Sequence, residues 1–349
     1  MNTSAASLVK GNRYPIFPIL AVNFIGTLGY SIILPFLIVL VLKFGGNELI
    51  YGALGATYSF FQLIGAPILG KWSDKIGRRR ILLLSQGGTF LAWLIFLVAL
   101  IIPNKQIASI DNNLTGAFIL SLPLLLLFFS RALDGITGGN VSVANAYLAD
   151  ITEEKDRKKN FGKMTASANL GFIAGPALAG LLGFTVFEEI LPVFVAMVIS
   201  LIAIFVISSK LKDINPCTLT GALDRIGTRK ILGQEIKECH SIKGSDDTSF
   251  RSILKINGIP LTLTLYFLTF LAFSFYYVSF PVYAIETLGW TIFQLGIFFS
   301  VMSGVMVLVQ GPVLSKLSDR LSDESLIIFG SIVLGLSFIL FRIENIYII

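Results

Sequence analysis

The sequence predicts an all-α, polytopic membrane protein, and three observations carry that prediction. Hydrophobic residues make up 54% of the 349-residue chain and charged residues only 14%, against roughly 25% charge in soluble domains. Mean hydropathy is +0.81. The apolar residues gather into runs long enough for a bilayer-crossing helix, which needs about 20 of them. The basic residues between these runs fall at alternate connections.

Nine spans are predicted, at about residues 15–42, 50–70, 79–102, 118–149, 163–184, 190–209, 257–285, 291–314 and 325–341. Residues 1–14 are polar, and the apolar run after them is too long for a signal-peptide core, so it reads as a retained helix. Lys10 and Arg13 precede the first span, and a basic cluster from Lys71 to Arg80 joins the second to the third. Lys155 to Lys163 join the fourth to the fifth, a run from Lys210 to Lys255 joins the sixth to the seventh, and Lys316 and Arg320 follow the eighth. Of the 27 Lys and Arg, only Lys43, Lys105, Arg131 and Arg342 lie elsewhere. The bias of Lys and Arg toward cytoplasmic loops then puts the N-terminus in the cytoplasm.

Residues 210–255 form the one long polar stretch between spans and lack a sustained apolar period. They divide the chain into a six-helix bundle at 1–209, a cytoplasmic linker, and a three-helix bundle at 256–349. Cys217, Cys239 and His240 all fall in the linker without CxxC spacing, so neither a disulfide framework nor a metal site is expected. With a single histidine, His-based catalytic chemistry is nearly excluded. No cofactor is expected, and the chain is not expected to be an enzyme. An internal repeat supports the division: APILGKWSDK at 66–75 returns as GPVLSKLSDR at 311–320, and Pro35 and Pro281 lie in the first span of each bundle. Two copies of one helical unit are what some secondary transporters are built from.

The fourth span carries charge inside its apolar run: SRALDGITGGNVSVANAYLADI at 130–151 holds Arg131 and Asp134. A bare charge at mid-membrane costs about 2.5–3.5 kcal/mol on insertion scales, so each needs a partner. The two stand i and i+3 on a helix and can neutralise each other. Gly135, Gly138 and Gly139 let another helix approach closely. On the residues alone this is either a helix lining a polar cavity or an internal salt bridge with a packing face; the rest of the chain favours the cavity. Between spans two and three, GKWSDKIGRRR places Gly70, Asp74, Gly77, Arg78 and Arg79 in one loop. There the glycines permit a tight turn and the aspartate can pair with the arginines as bundles rock. In span five, GFIAGPALAG at 171–180 holds Gly171, Gly175 and Gly180; Gly171, Gly175, Ala179 and Gly183 recur every four residues and give one flat packing face, and Pro176 can kink the helix.

These three segments, in this order, resemble the loop, fourth-helix and fifth-helix signatures of the major facilitator superfamily. Residues 52–183 look most like its twelve-helix drug/proton antiporters, the tetracycline pumps in particular. The resemblance implies two pseudo-repeated helical bundles of the major-facilitator type. It assigns Asp74 and Arg78 to a conformational switch, ties Arg131 to proton coupling, and places Gln62 where those pumps have a pathway glutamine. It also implies export, by the antiporter-type fifth helix. The sequence departs from the family twice. The aspartates that tetracycline pumps carry in helices one, three and nine fall here at Gly26, Ala92 and Leu334. Tetracycline–metal binding is therefore not expected, and Asp134 is left as the acid deep in a span. The predicted spans stop at nine where the family has twelve, so a fragment or truncated product is expected.

Polar and aromatic residues on pore-type helices supply the cavity candidates: Asn23 and Tyr30, Gln62, Asn145, and Tyr276 and Tyr277. The expected function is a secondary transporter of the plasma membrane, in bacteria the inner membrane, exporting small amphipathic or drug-like molecules by alternating access. Its partners are lipid, substrate and protons, with no nucleic acid, and a monomer is expected. The alternatives are a facilitator of a small solute and a non-transporting membrane binding protein.

Overall fold

The computed structural model describes residues 15–183, 185–187, 189–212, 258–309, 313–318 and 320–340. The second-repeat residues Gly311, Pro312 and Asp319 lie outside them, as do Cys217, Cys239, His240 and most of the predicted linker. The described chain is helical apart from one hairpin. In order it forms α1 (Phe17–Ser31), α2 (Leu37–Lys43), α3 (Glu48–Ile76), α4 (Arg78–Ile101), β1 (Gln106–Asn112), β2 (Gly116–Ser121), α5 (Leu122–Thr137) and α6 (Asn140–Ile151). A 3₁₀ turn at Glu154–Asp156 leads into α7 (Arg157–Gly183) and α8 (Ile190–Lys210). Then come α9 (Ile259–Glu286), α10 (Ile292–Leu308), the short α11 (Leu314–Ser318) and α12 (Asp323–Leu340).

Among the described residues, six helical stretches are long and apolar enough to cross a membrane: α3, α4, α5 with α6, most of α7, α8 and α9. Three shorter apolar helices overlap the first, eighth and ninth predicted spans. The protein is thus integral to a membrane.

Three local features differ from the expected spans. The first span is broken between α1 and α2. Pro35 has no N–H to give the carbonyl of Ser31, which instead accepts from Leu34 N at 3.3 Å, and the chain tightens over residues 32–36. The fourth span breaks at Gly138 and Gly139, poor helix formers. There Gly138 N donates to Gly135 O at 3.0 Å and Gly139 N to Thr137 O at 2.8 Å. Residues 106–121 form an antiparallel hairpin, so residues 118–121 are strand rather than the start of a helix. Side chains fasten this hairpin to the turn before α3. Asn47 Nδ2 donates to Thr115 O at 2.7 Å, and its Oδ1 caps α3 by accepting from Ile50 N at 3.0 Å. Ser121 donates to Phe44 O at 2.8 Å while capping α5.

The described residues fall into two compact units. The larger takes in 15–212 with 278–301, and the smaller takes in 258–277 with 302–340. In the larger unit the apolar core is split in two. One cluster, at the hairpin end, includes Ile33, Phe36, Leu54, Phe96, Leu127 and Val193. The other, at the end carrying the basic loops, includes Ile19, Val22, Leu69, Leu82, Val143, Leu148, Met164 and Ile207. Between them, on α1, α4, α5 and α8, sit the buried polar residues Thr27, Ser31, Gln86, Ser130, Arg131, Asp134 and Ser200. In the smaller unit, Tyr276 packs edge-on to Phe338 with ring centroids 6.4 Å apart.

Candidate functional site

The polar layer centres on the α5 pair. Arg131 Nη1 lies 3.3 Å from Asp134 Oδ2, with side chains only 4% and 10% exposed. Thr89 of α4 also faces Asp134. The Arg131 guanidinium carbon stands 4.6 Å from the Tyr58 ring centroid and 5.8 Å from that of Tyr30. The two rings are themselves 5.1 Å apart. Arg131 Nε is buried and has no hydrogen-bond partner among the described residues. A buried cation is therefore held by one carboxylate and two aromatic faces, which suit a delocalised guanidinium.

Gln62 joins this layer through its Nε2, which donates to Tyr58 Oη at 3.0 Å and to Gly138 O at 3.2 Å. Ser85 Oγ donates to the Thr137 carbonyl beside it. The carbonyls freed by the Gly138–Gly139 break are thus satisfied by side chains of α3 and α4, as a break inside a membrane requires. Asn23 Nδ2 donates to Met164 O and Ser167 Oγ, both at 2.9 Å, and so ties α1 to α7. Asn145 lies half-buried on α6. Tyr276 and Tyr277 belong to the smaller unit, where Tyr277 packs on Phe273.

The glycine faces set the helix spacings. A Cβ on Gly135 would stand 2.9 Å from Phe61 Cβ, and closer still to the Tyr58 carbonyl. A Cβ on Gly171 would stand 2.8 Å from Phe24 O and 2.9 Å from Leu28 N. One on Gly175 would meet Ser31 and the backbone of Ile32. Within the same unit, Pro176 and Gly180 lie against Gly296 of α10, where a Cβ would stand 2.8 Å from Pro176 O.

At the basic end, the predicted loop is a tight joint between α3 and α4. Gly77 makes the turn at φ 114°, a conformation other residues rarely adopt. Gly70, expected in the turn, lies inside α3 with open space beside it, because the helix runs on to Ile76. Arg78 bridges two helix ends: Nη2 lies 2.5 Å from Asp74 Oδ1, Nε lies 2.9 Å from Asp150 Oδ2 of α6, and Nη1 donates to Ser73 Oγ at 2.6 Å. Arg79 Nε donates to Ile207 O at 3.3 Å, and its Nη2 donates to Ser208 O. Sequence reasoning missed Asp150, Ser73, Tyr58 and Thr89. Asp150 was legible as an acid at a span's basic end; the others depend on which helix faces which.

Buried charge inside a helical bundle, broken membrane helices with satisfied backbone, and an ion-paired joint define a membrane transport protein. The sequence profile of the Major Facilitator Superfamily matches residues 19–345, and the chain belongs to that family. It is 29% identical to the class D tetracycline resistance protein of Salmonella ordonez, over 92% of this chain and 71% of that protein. It is 28% identical to multidrug resistance protein 2 of Bacillus subtilis, over 89% of this chain and 69% of that one. Several other tetracycline resistance proteins match over less than half of their own length. Among solved structures, the human organic anion transporter MFSD10 superposes with a TM-score of 0.59 at 18% identity, covering 85% of this chain and 71% of that one. This last likeness concerns the fold.

Proposed function

We propose that this chain is a secondary transporter of the bacterial inner membrane, its N-terminus in the cytoplasm, that exports small amphipathic or drug-like molecules by alternating access. The observation that carries the reading is the buried Arg131–Asp134 pair, flanked by Tyr30 and Tyr58 and lying between two apolar clusters. Charge is retained there at a cost in stability, and in transporters such groups mark substrate or ion paths. The names of these relatives, tetracycline resistance and multidrug resistance, support export of drug-like molecules. Asp134 is the candidate proton carrier and Arg131 its counter-ion. The Asp74–Arg78–Asp150 cluster is the element that rearranges between states.

Purified protein in proteoliposomes tests this reading. A dye-like amphipathic cation should move against its own gradient when a pH gradient is imposed. Exchange of substrate that persists while the pH gradient has no effect would refute proton coupling. The absence of acids at Gly26, Ala92 and Leu334 is the observation that favours the second reading, a facilitator.

A further inference from the structure

Arg79 plays no part in the ion-pair cluster of its neighbour Arg78. Its guanidinium turns to the C-terminal end of α8 and donates to the carbonyls of Ile207 and Ser208. These are among the last four carbonyls of a helix ending at Lys210, which have no partner within the helix and sit at its negative pole. Two further contacts hold the chain just beyond. Tyr147 Oη donates to Lys212 O at 3.1 Å. Leu211 is only 5% exposed and packs in the cluster that holds Ile81, Leu82 and Tyr147. Tyr147 shares α6 with Asp150, three residues on, which pairs with Arg78.

The same two elements, the first turn of α4 and the end of α6, therefore serve two attachments. One closes the α3–α4 joint through Arg78. The other fastens the chain leaving α8. We propose that Arg79 and Tyr147 are positioning residues that couple the joint to the root of the segment after α8, so that the ion pairs of Arg78 set how tightly residues 207–212 are held. The coupling rests on the reading of the joint as a conformational switch. Physically it needs only that Arg78 and Arg79, adjacent on one helical turn, move together. Loss of the Asp74 and Asp150 pairs then shifts Arg79 away from the α8 carbonyls, and Leu211 leaves its apolar seat.

Thiol labelling tests this without any transport step. In a Cys217→Ser, Cys239→Ser background, Leu211→Cys is treated with a membrane-impermeant maleimide in inside-out vesicles. Ser209→Cys, exposed in the structure, reports sidedness and insertion and should label fast in every variant. Leu211→Cys should label slowly in the parent. It should label about tenfold faster or more with Arg79→Gln, which removes charge-assisted hydrogen bonds, and several-fold faster with Tyr147→Phe, which removes one hydroxyl and no packing. Arg78→Gln, which leaves Arg79 in place, should also speed it several-fold. Labelling at Leu211→Cys unchanged by Arg79→Gln would overturn the attachment. A response to Arg79→Gln with none to Arg78→Gln would overturn the coupling. Neither result bears on whether the protein transports, which the flux assay decides separately.

Discussion

Removing the carboxylate of Asp134 gives the sharpest test of the polar layer. Asp134→Asn keeps the side-chain shape and leaves Arg131 buried without its counter-charge. At the observed 3.3 Å and an effective dielectric of about 20, the Coulomb attraction lost is about 5 kcal/mol. Breaking one side of a buried pair costs about 3–5 kcal/mol in measured cases, so the two figures agree. The Tyr30 and Tyr58 faces, worth about 0.5–2 kcal/mol each, remain in the variant, and relaxation around the stranded guanidinium recovers part of the loss. A net loss of about 2–4 kcal/mol is expected, seen as a fall of roughly 5–10 °C in the melting temperature of detergent-solubilised protein. Removing both charges with Arg131→Gln and Asp134→Asn together should recover more than half of that loss, because no orphan charge is left. Thermal denaturation followed by intrinsic tryptophan fluorescence, with Trp72 and Trp93 on the bundle helices, gives all four corners of the cycle. Small additive effects, under about 1 kcal/mol each with no recovery in the double variant, would refute the pair as a coupled unit.

Four other outcomes follow from the geometry. Gly171→Val should disrupt α1–α7 packing and lower the yield of monodisperse protein, since its side chain meets backbone at Phe24 and Leu28; overpacking of this kind costs about 1–3 kcal/mol or more. Gly87→Ala, with nothing within 4 Å of the added Cβ, should be neutral or gain up to about 1 kcal/mol in the same chromatography and melting assays. Gly77→Ala forces a Cβ into a φ of 114° and should cost about 1–3 kcal/mol in melting assays. Asp150→Asn removes a half-exposed partner of Arg78, so stability should change by less than about 1 kcal/mol while substrate flux in proteoliposomes falls; unchanged flux would remove Asp150 from the switch.

Hydropathy made the spans legible because burial in lipid demands apolar length, and length is a property of the sequence alone. It could not show the breaks. Pro35 and the Gly138–Gly139 pair stop helices, but whether a break is tolerated depends on who satisfies the freed carbonyls, and Gln62 and Ser85 come from other helices. The hairpin was hidden for a related reason: GAFILS at 116–121 is apolar enough to extend a span, and only pairing with residues 106–112 makes it a strand. The Arg131–Asp134 pair was legible from its spacing. Its aromatic faces were half legible: Tyr30 stood out as an aromatic residue on a pore-type helix, whereas Tyr58 enters only because Gly135 brings α5 onto α3. The Asp74–Arg78 pair follows from helical spacing, but Asp150 and the α8 carbonyls meet Arg78 and Arg79 through tertiary packing.

The acids that the sequence lacks can be weighed against the one it has. At Gly26 a Cβ would stand 3.1 Å from Asn140 Nδ2, and at Ala92 the backbone carbonyl accepts from Ser130 Oγ at 2.8 Å. In the larger unit both places are thus occupied by neutral polar contacts, and the negative charge of the layer sits on α5. There it is held by Arg131, with Thr89 of α4 beside it. An acid paired within its own helix has a different consequence from an isolated one. A proton reaching Asp134 would cancel the charge that holds Arg131. The guanidinium, whose Nε lacks an acceptor among the described residues, would then be held by the tyrosine faces and by a neutral carboxyl oxygen in place of a carboxylate. Protonation would thereby loosen a cation rather than merely fill an acid. An amphipathic cation arriving at Tyr30 and Tyr58 would compete for those same faces. The proposed proton and substrate steps therefore meet at one residue, Arg131, so Arg131→Lys, which keeps the charge but loses the planar fork, should impair exchange more than it impairs stability.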